Sequence, residues 1–342
     1  MASALWPAFP CRPCTLWATF RVLRYASQHG ATSPVTATPT TLAGLDASRR
    51  AALSRLLQDP SPFYGDRLAA AGVTDARELP RLPLSRRVDL LRDQLAHLPH
   101  GTRRSAAATA PVRVGIAGSG ERLLVLAWSA AELSRERRAG TRLLGGLGVR
   151  AGMRVANTLP GALATPGALL LGDVIEELGG LDVPLGVVDG PAAARQAWEL
   201  LERVQPEVIV CDQGSASHLF ASAPPPSWCR GLVWLRSAIA PEVSPSPPAF
   251  SGWQRTWLAV PEATSFVAGS CARERLHVDD EVLAEVVDEA TGAQAAPGEA
   301  GVLALTPLGS ETRLLRYATG IRVRQPDGAC PCGAPGPTLE VA

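Results

Sequence analysis

The chain has 342 residues, 46% hydrophobic and 19% charged, with a formal net charge of +1. That size and apolar content suffice for one large or two ordinary cores, and near-neutrality removes the electrostatic reason to expect a nucleic-acid partner. Lysine is absent, so all 33 Lys/Arg side chains are arginine, and no lysine is available to form a Schiff base, cradle a phosphate or act as an ammonium electrophile.

Residues 1–44 carry Cys11-Arg12-Pro13-Cys14, Arg21 and Arg24, and the first acidic residue is Asp46. The segment reads as a poorly ordered leader with a superficial likeness to a transit peptide. Its CxxC lacks a βαβ setting and reads as incidental. The chain's seven cysteines are an odd set with no secretory signal, so a disulfide framework is not expected. No apolar run approaches the roughly 20 residues that span a bilayer. A cytoplasmic location with no membrane partner follows as the expectation.

Leu42, Leu45, Ala52, Leu53, Leu56 and Leu57 recur at helical spacing and predict a helix through Gln58, closed before Pro60. Ser61-Pro62-Phe63-Tyr64 leads into Arg67-Leu68. Leu82-Pro83-Leu84-Ser85 then introduces a helix through Val88, Leu90, Leu91 and Leu95, with Ser85 as the expected N-cap. His97 and His100 fall near its end, where a cationic ring favours the helix dipole.

Past Pro111 the pattern alternates. Strands are predicted over 123–128, 153–158, 181–188 and 207–212, and helices over 130–147 (closed by Gly148), 168–178 and 192–204. Such alternation predicts an α/β fold with a mostly parallel, helix-covered sheet. Asp173, Glu176 and Glu177 share one predicted helix and read as a solvated or inter-helix face. Asn157, Thr158 and Gly161 close a strand at the carboxyl edge of the sheet, where open α/β folds bind ligands; they read as an acyl-pocket edge or a plain turn. Pro/Ser-rich stretches over 223–227 and 241–248 flank a short strand over 232–235. From about 258 to 342 the chain becomes β-rich, with a hairpin over 282–287 and 301–308.

Ser61-Pro62-Phe63-Tyr64, Leu82-Pro83-Leu84, Cys271, Leu276-His277, Glu285-Val286-Val287-Asp288, Thr291-Gly292, Pro297-Gly298-Glu299, Arg316-Tyr317-Ala318-Thr319-Gly320 and Cys330-Pro331-Cys332-Gly333 occur in this order. Together they resemble the phenylacetate-CoA ligase branch of adenylate-forming, AMP-binding enzymes, from about residue 45 to the C-terminus. The resemblance implies a large α/β N-terminal domain, here 45–342, followed in the family by a small mobile lid with a catalytic lysine. It also implies ATP- and Mg²⁺-dependent conversion of a carboxylate into an acyl-adenylate, and transfer of the acyl group to CoA. Because the chain stops at Ala342, the expectation is the large domain without its lid, or one completed by a separately encoded lid protein.

The nucleotide elements that the resemblance implies are altered. Gly118, Ser119 and Gly120 stand where a Ser/Thr/Gly phosphate loop is expected and could present amides to an anion, but Glu121 replaces a usual cation; an ordinary Gly-rich turn is the other reading. Glu262 keeps the carboxylate of an element that holds Mg²⁺ but lacks its aromatic and glycine, and it also reads as a solvated loop residue. Thr319 and Gly320 precede Ile321, where the resemblance implies an aspartate that binds the ribose hydroxyls. Two lost hydrogen bonds to a charged group, each about 1.5–3 kcal/mol, would lower ATP affinity roughly a hundredfold or more.

The metal candidates are better preserved. Pro331 restrains the loop between Cys330 and Cys332, and Gly333 permits a positive φ. With Cys271 and His277 they make a Cys₃His set suited to tetrahedral, structural Zn²⁺, as the resemblance also implies; four reduced, metal-free residues are the alternative. Two functional expectations result. One is a ligase-like enzyme with weak or lost adenylation, for which ATP and Mg²⁺ are doubtful cofactors. The other is a non-catalytic scaffold binding an acyl compound or a partner chain.

Overall fold

The computed structural model describes residues 45–161, 165, 167–221, 224–237 and 250–342; the leader expected over 1–44 lies outside the described residues. Helix α1 (Ala47–Gln58) is capped by Asp46, whose carboxylate accepts from the Arg49 amide at 2.8 Å. Helix α2 (Pro62–Ala71) opens on proline and closes at Gly72, in the left-handed region at φ 62°. Helix α3 spans Arg87–Ala96, with His97 at its C-cap. Leu53, Leu56 and Leu57 of α1 and Tyr64 and Leu68 of α2 pack on Leu283, Leu308 and Leu315, far along the sequence.

Ser85 does not cap α3; Arg86 occupies that position. Ser85 is instead fully buried in extended pairing, its amide donating to the Arg316 carbonyl at 3.1 Å and its carbonyl accepting from the Ala318 amide at 2.9 Å. Its hydroxyl meets Tyr64 Oη at 2.9 Å and the Leu315 carbonyl at 3.2 Å. Long-range pairing thus overrides the local capping preference.

Strands β1 (Arg113–Ala117) and β2 (Leu124–Trp128) form an antiparallel hairpin. There follow α4 (Ala130–Leu147), β3 (Arg154–Asn157), α5 (Ala168–Glu177), β4 (Leu181–Pro184), α6 (Gly190–Val204), β5 (Val208–Cys211), α7 (Gln213–Leu219), β6 (Gly231–Ser237) and β7 (Trp253–Val260). The chain continues through β8 (Thr264–Ser270), β9 (Leu276–Val278), β10 (Val282–Val287), β11 (Ala300–Pro307), β12 (Tyr317–Arg324) and β13 (Thr338–Val341). One 11-stranded sheet runs β10-β11-β12-β13-β9-β8-β7-β6-β5-β3-β4. Its β4-β3-β5-β6-β7 half is parallel, and every pairing from β7–β8 onward is antiparallel. The change from parallel to antiparallel therefore occurs at β7, close to the expected start of the β-rich part.

The pleat sorts the parallel strands between two cores. Val208 and Val210 of β5 pack with Leu143 and Leu144 of α4 and Val174 of α5, whereas Ile209 and Cys211 pack with Ala197 and Leu201 of α6 and Leu219 of α7. Helix α4 has its predicted bounds. Ser129 and Glu132 form a capping box at its start, and Gly148, at φ 114°, closes it by donating to the Leu144 and Gly145 carbonyls. Strand β4 is shorter than predicted because the Leu185 and Gly186 amides both turn to the Asn157 carbonyl, at 2.9 and 3.2 Å.

Candidate functional site

The antiparallel half assembles the metal candidates. Cys271 leaves β8 into a tight turn, its amide donating to the Arg275 carbonyl at 3.0 Å, and His277 follows on β9. Cys330 and Cys332 sit in the loop ahead of β13, closed by a Gly333 amide bond to the Cys330 carbonyl at 3.0 Å, with Gly333 at φ 79°. Because β13 pairs with β9, the two pairs of residues meet. The ligand atoms of all four residues lie within 4.8 Å of one another, with Cys271 Sγ 3.6 Å from Cys330 Sγ and Cys332 Sγ 3.3 Å from His277 Nε2. A tetrahedron with metal–sulfur bonds of about 2.3 Å has edges of about 3.8 Å, so the arrangement fits a metal ion. Amides of Arg273 and Ala334 also donate to Cys271 Sγ and Cys332 Sγ, at 3.3 and 3.5 Å, as suits thiolates. Burial opposes ionisation of Cys271, but the Arg273 amide and the neighbouring thiols outweigh it and lower its pKa.

The nucleotide candidates fall in two places. Gly118, Ser119 and Gly120 form the tip of the β1–β2 hairpin, with Gly118 at φ 81° and Gly120 at φ 55°. Gln94 of α3 holds the hairpin, donating to the Leu123 carbonyl at 3.1 Å and accepting from the Val125 amide at 2.7 Å. Glu262 lies in the β7–β8 turn, and its carboxylate is ion-paired with Arg87 of α3. Arg87 Nη2 also donates to the Ala117 and Arg122 carbonyls, at 2.7 and 2.6 Å. Arg87 thus joins the loop to Glu262.

Thr319 and Gly320 lie on β12. Thr319 Oγ1 donates to the Leu303 carbonyl at 2.9 Å and accepts from the Ile321 amide at 3.1 Å, while Ile321 is buried in the core under the antiparallel strands. Two residues before Thr319, the Tyr317 phenol lies within electrostatic reach of Arg87, Arg103 and Arg122, and burial pushes its pKa up to about 12.

No protein-family model and no curated protein sequence matches this chain. Among solved structures it resembles an open 2-hydroxyisobutyryl-CoA ligase in complex with 2-HIB-AMP and CoA, with a TM-score of 0.76 and 18% identity over 93% of this chain and 74% of that chain. The same ligase in its postadenylation state with R3-HIB-AMP gives 0.76 and 18% over 91% and 70%. A long-chain-fatty-acid-CoA ligase from Archaeoglobus fulgidus gives 0.50 and 10% over 67% and 50%. The chain has the fold of adenylate-forming CoA ligases.

Within the adenylate-forming fold, the polar side chains of Asn157 and Thr158 at the end of β3 are bonded to backbone carbonyls. Asn157 Nδ2 donates to the Ala168 carbonyl at 3.1 Å and Thr158 Oγ1 to the Val210 carbonyl at 3.0 Å, both from fully buried positions. Asn157 ties the end of β3 to the first residue of α5, and Thr158 ties it to β5. Asp173 and Glu177 pair with Arg113 and Arg137 at 3.3 and 3.7 Å, as an inter-element face should.

Sequence reasoning missed Arg87 and Glu136. The signal for Arg87 was present: Arg86 and Arg87 open a helix whose dipole disfavours cations there. Glu136 of α4 lines a cavity of about 40 Å³ together with Trp128, Glu132, Ala263, Thr264 and Ser310. Burial raises its pKa from 4.5 to about 7, against hydrogen bonds from Thr264 and Ser265. Between those values the unfolded chain has released a proton that the folded chain keeps. Stability is therefore expected to fall as pH rises from 4.5 to about 7, by up to about 3 kcal/mol. Thermal unfolding across that window should show this slope in the native chain and lose it in Glu136→Gln; an unaltered slope in the variant would refute the assignment.

Proposed function

We propose that this chain is a phenylacetate-CoA ligase-like protein, descended from enzymes that activate a carboxylate as its acyl-adenylate and pass it to CoA, in which adenylation is weakened or lost. Residues 45–342 then act as the large domain, with a structural Zn²⁺ on Cys271, His277, Cys330 and Cys332, in the cytoplasm. What remains is a scaffold able to bind a carboxylate, an acyl compound or a partner chain, including a separate lid protein. The observation that carries this reading is Ile321. Its side chain is 8% exposed and packed in the core, at the place where the resemblance implies a ribose-binding aspartate. The roles of Gly118, Ser119, Gly120, Glu262, Thr319 and Gly320 toward ATP belong to the same proposal, and the Arg87–Glu262 ion pair and the occupied Thr319 hydroxyl argue for weak binding.

The test is calorimetry with Mg²⁺–ATP, together with carboxylate-dependent pyrophosphate release, on the purified chain. The expected result is ATP affinity at least about a hundredfold below that of a ligase with the aspartate in place, and no pyrophosphate above background. Sustained turnover by the chain alone would defeat the reading.

A further inference from the structure

The Gly118–Gly120 loop turns the wrong polarity inward for an anion. An anion cradle aims successive backbone amides at its ligand. Here the Ala117 and Arg122 carbonyls converge on the Arg87 guanidinium, at 2.7 and 2.6 Å, and the Glu262 carboxylate meets the same guanidinium from the β7–β8 turn. The fit is close. A Cβ at Gly118 would fall 2.6 Å from Arg87 Nη2 and 2.7 Å from the Arg122 carbonyl, so a larger residue there would displace the cation. The Glu262 side chain is 2% exposed and that of Arg87 15%. Glu262 Oε2 is buried with no hydrogen-bond partner, an acceptor that the guanidinium leaves unused.

One carboxylate and two carbonyls form an oxygen set of the kind that hard divalent cations take. We propose that Arg87 is the resident cation of this cradle, a tethered guanidinium standing where the fold would otherwise admit a divalent metal. With Arg87 in place the residues do not fit Mg²⁺. The two carbonyls and Glu262 Oε1 are already engaged by a fixed positive charge, which neutralises the carboxylate from within the chain. This inference goes beyond the functional reading. ATP turnover by the native chain would sink that reading yet leave untouched the question of what the cradle holds.

The probe is Mn²⁺ alone, followed by electron paramagnetic resonance on the full chain, because bound and free Mn²⁺ give distinct signals. Arg87→Ala should take up Mn²⁺ at least about tenfold more tightly than the native chain, and the gain should vanish when Glu262→Gln is added. Should Arg87→Ala fail to fold, Arg87→Gln keeps part of the stem and a neutral donor. Its thermal midpoint should then rise with Mn²⁺ while that of the native chain does not. Equal Mn²⁺ affinity in the native and Arg87→Ala chains would overturn the proposal, as would a folded variant that gains neither Mn²⁺ nor Mn²⁺-dependent stability.

Discussion

Replacing Arg316 by alanine is expected to destabilise the protein by about 3–5 kcal/mol, the range typical of a buried ion pair broken on one side. Arg316 is 1% exposed, and its Nε lies 3.3 Å from the Glu285 carboxylate. Its other nitrogens donate to the carbonyls of Pro80, Leu82 and Gly292 at 2.8, 2.9 and 2.6 Å. One side chain therefore fastens the segment between α2 and α3 and the β10–β11 turn to the start of β12. Removing it strands three acceptors and a buried carboxylate. Burial already raises the Glu285 pKa, with Arg316 only partly opposing. Because a raised folded-state pKa means that protons favour the folded form, the defect in Arg316→Ala should ease at acidic pH and deepen as pH rises. Urea midpoints would measure the loss, and the double variant Arg316→Met/Glu285→Leu should recover much of it, since the unpaired charge is gone. A loss below about 1 kcal/mol in the single variant would show that the pair does not hold these segments together.

The second large effect is expected at the cysteines. Purified protein should carry about one zinc per chain, and Cys330→Ser/Cys332→Ser should carry none, because two of four ligands disappear. Metal binding by ligands that the unfolded chain cannot assemble adds directly to folding free energy, so the double variant should lose about 4 kcal/mol or more. A chelator should impose a similar shift on the native chain and none on the variant. Metal-free protein, with a midpoint unchanged in the variant, would rule the site out.

Legibility in the sequence followed how local the determining interaction is. Helix α4 could be bounded to the residue because its capping box and closing glycine are contiguous in the chain. The Cys₃His set could be named because Cys330-Pro331-Cys332-Gly333 is contiguous and the resemblance sets it beside Cys271 and His277. Strand β1 escaped detection because Gly115 and the neighbouring glycines read as loop; its pairing with β2 supplies the order. Ser85 was misassigned because its partners, Leu315, Arg316 and Ala318, come from the far end of the sequence. Arg87 carried a local signal, a cation at a helix start, but its partner Glu262 lies far along the sequence, so its role could not be read from that signal.

The position of β13 has a consequence for how the chain reaches this state. Thr338–Val341 pairs on one side with β12 and on the other with β9, filling a slot inside the sheet. Until it is seated, β9 and β12 each present an unpaired edge, and such edges are templates for association with other chains. Once β13 is seated, the outer edges left in this sheet are those of β10 and β4.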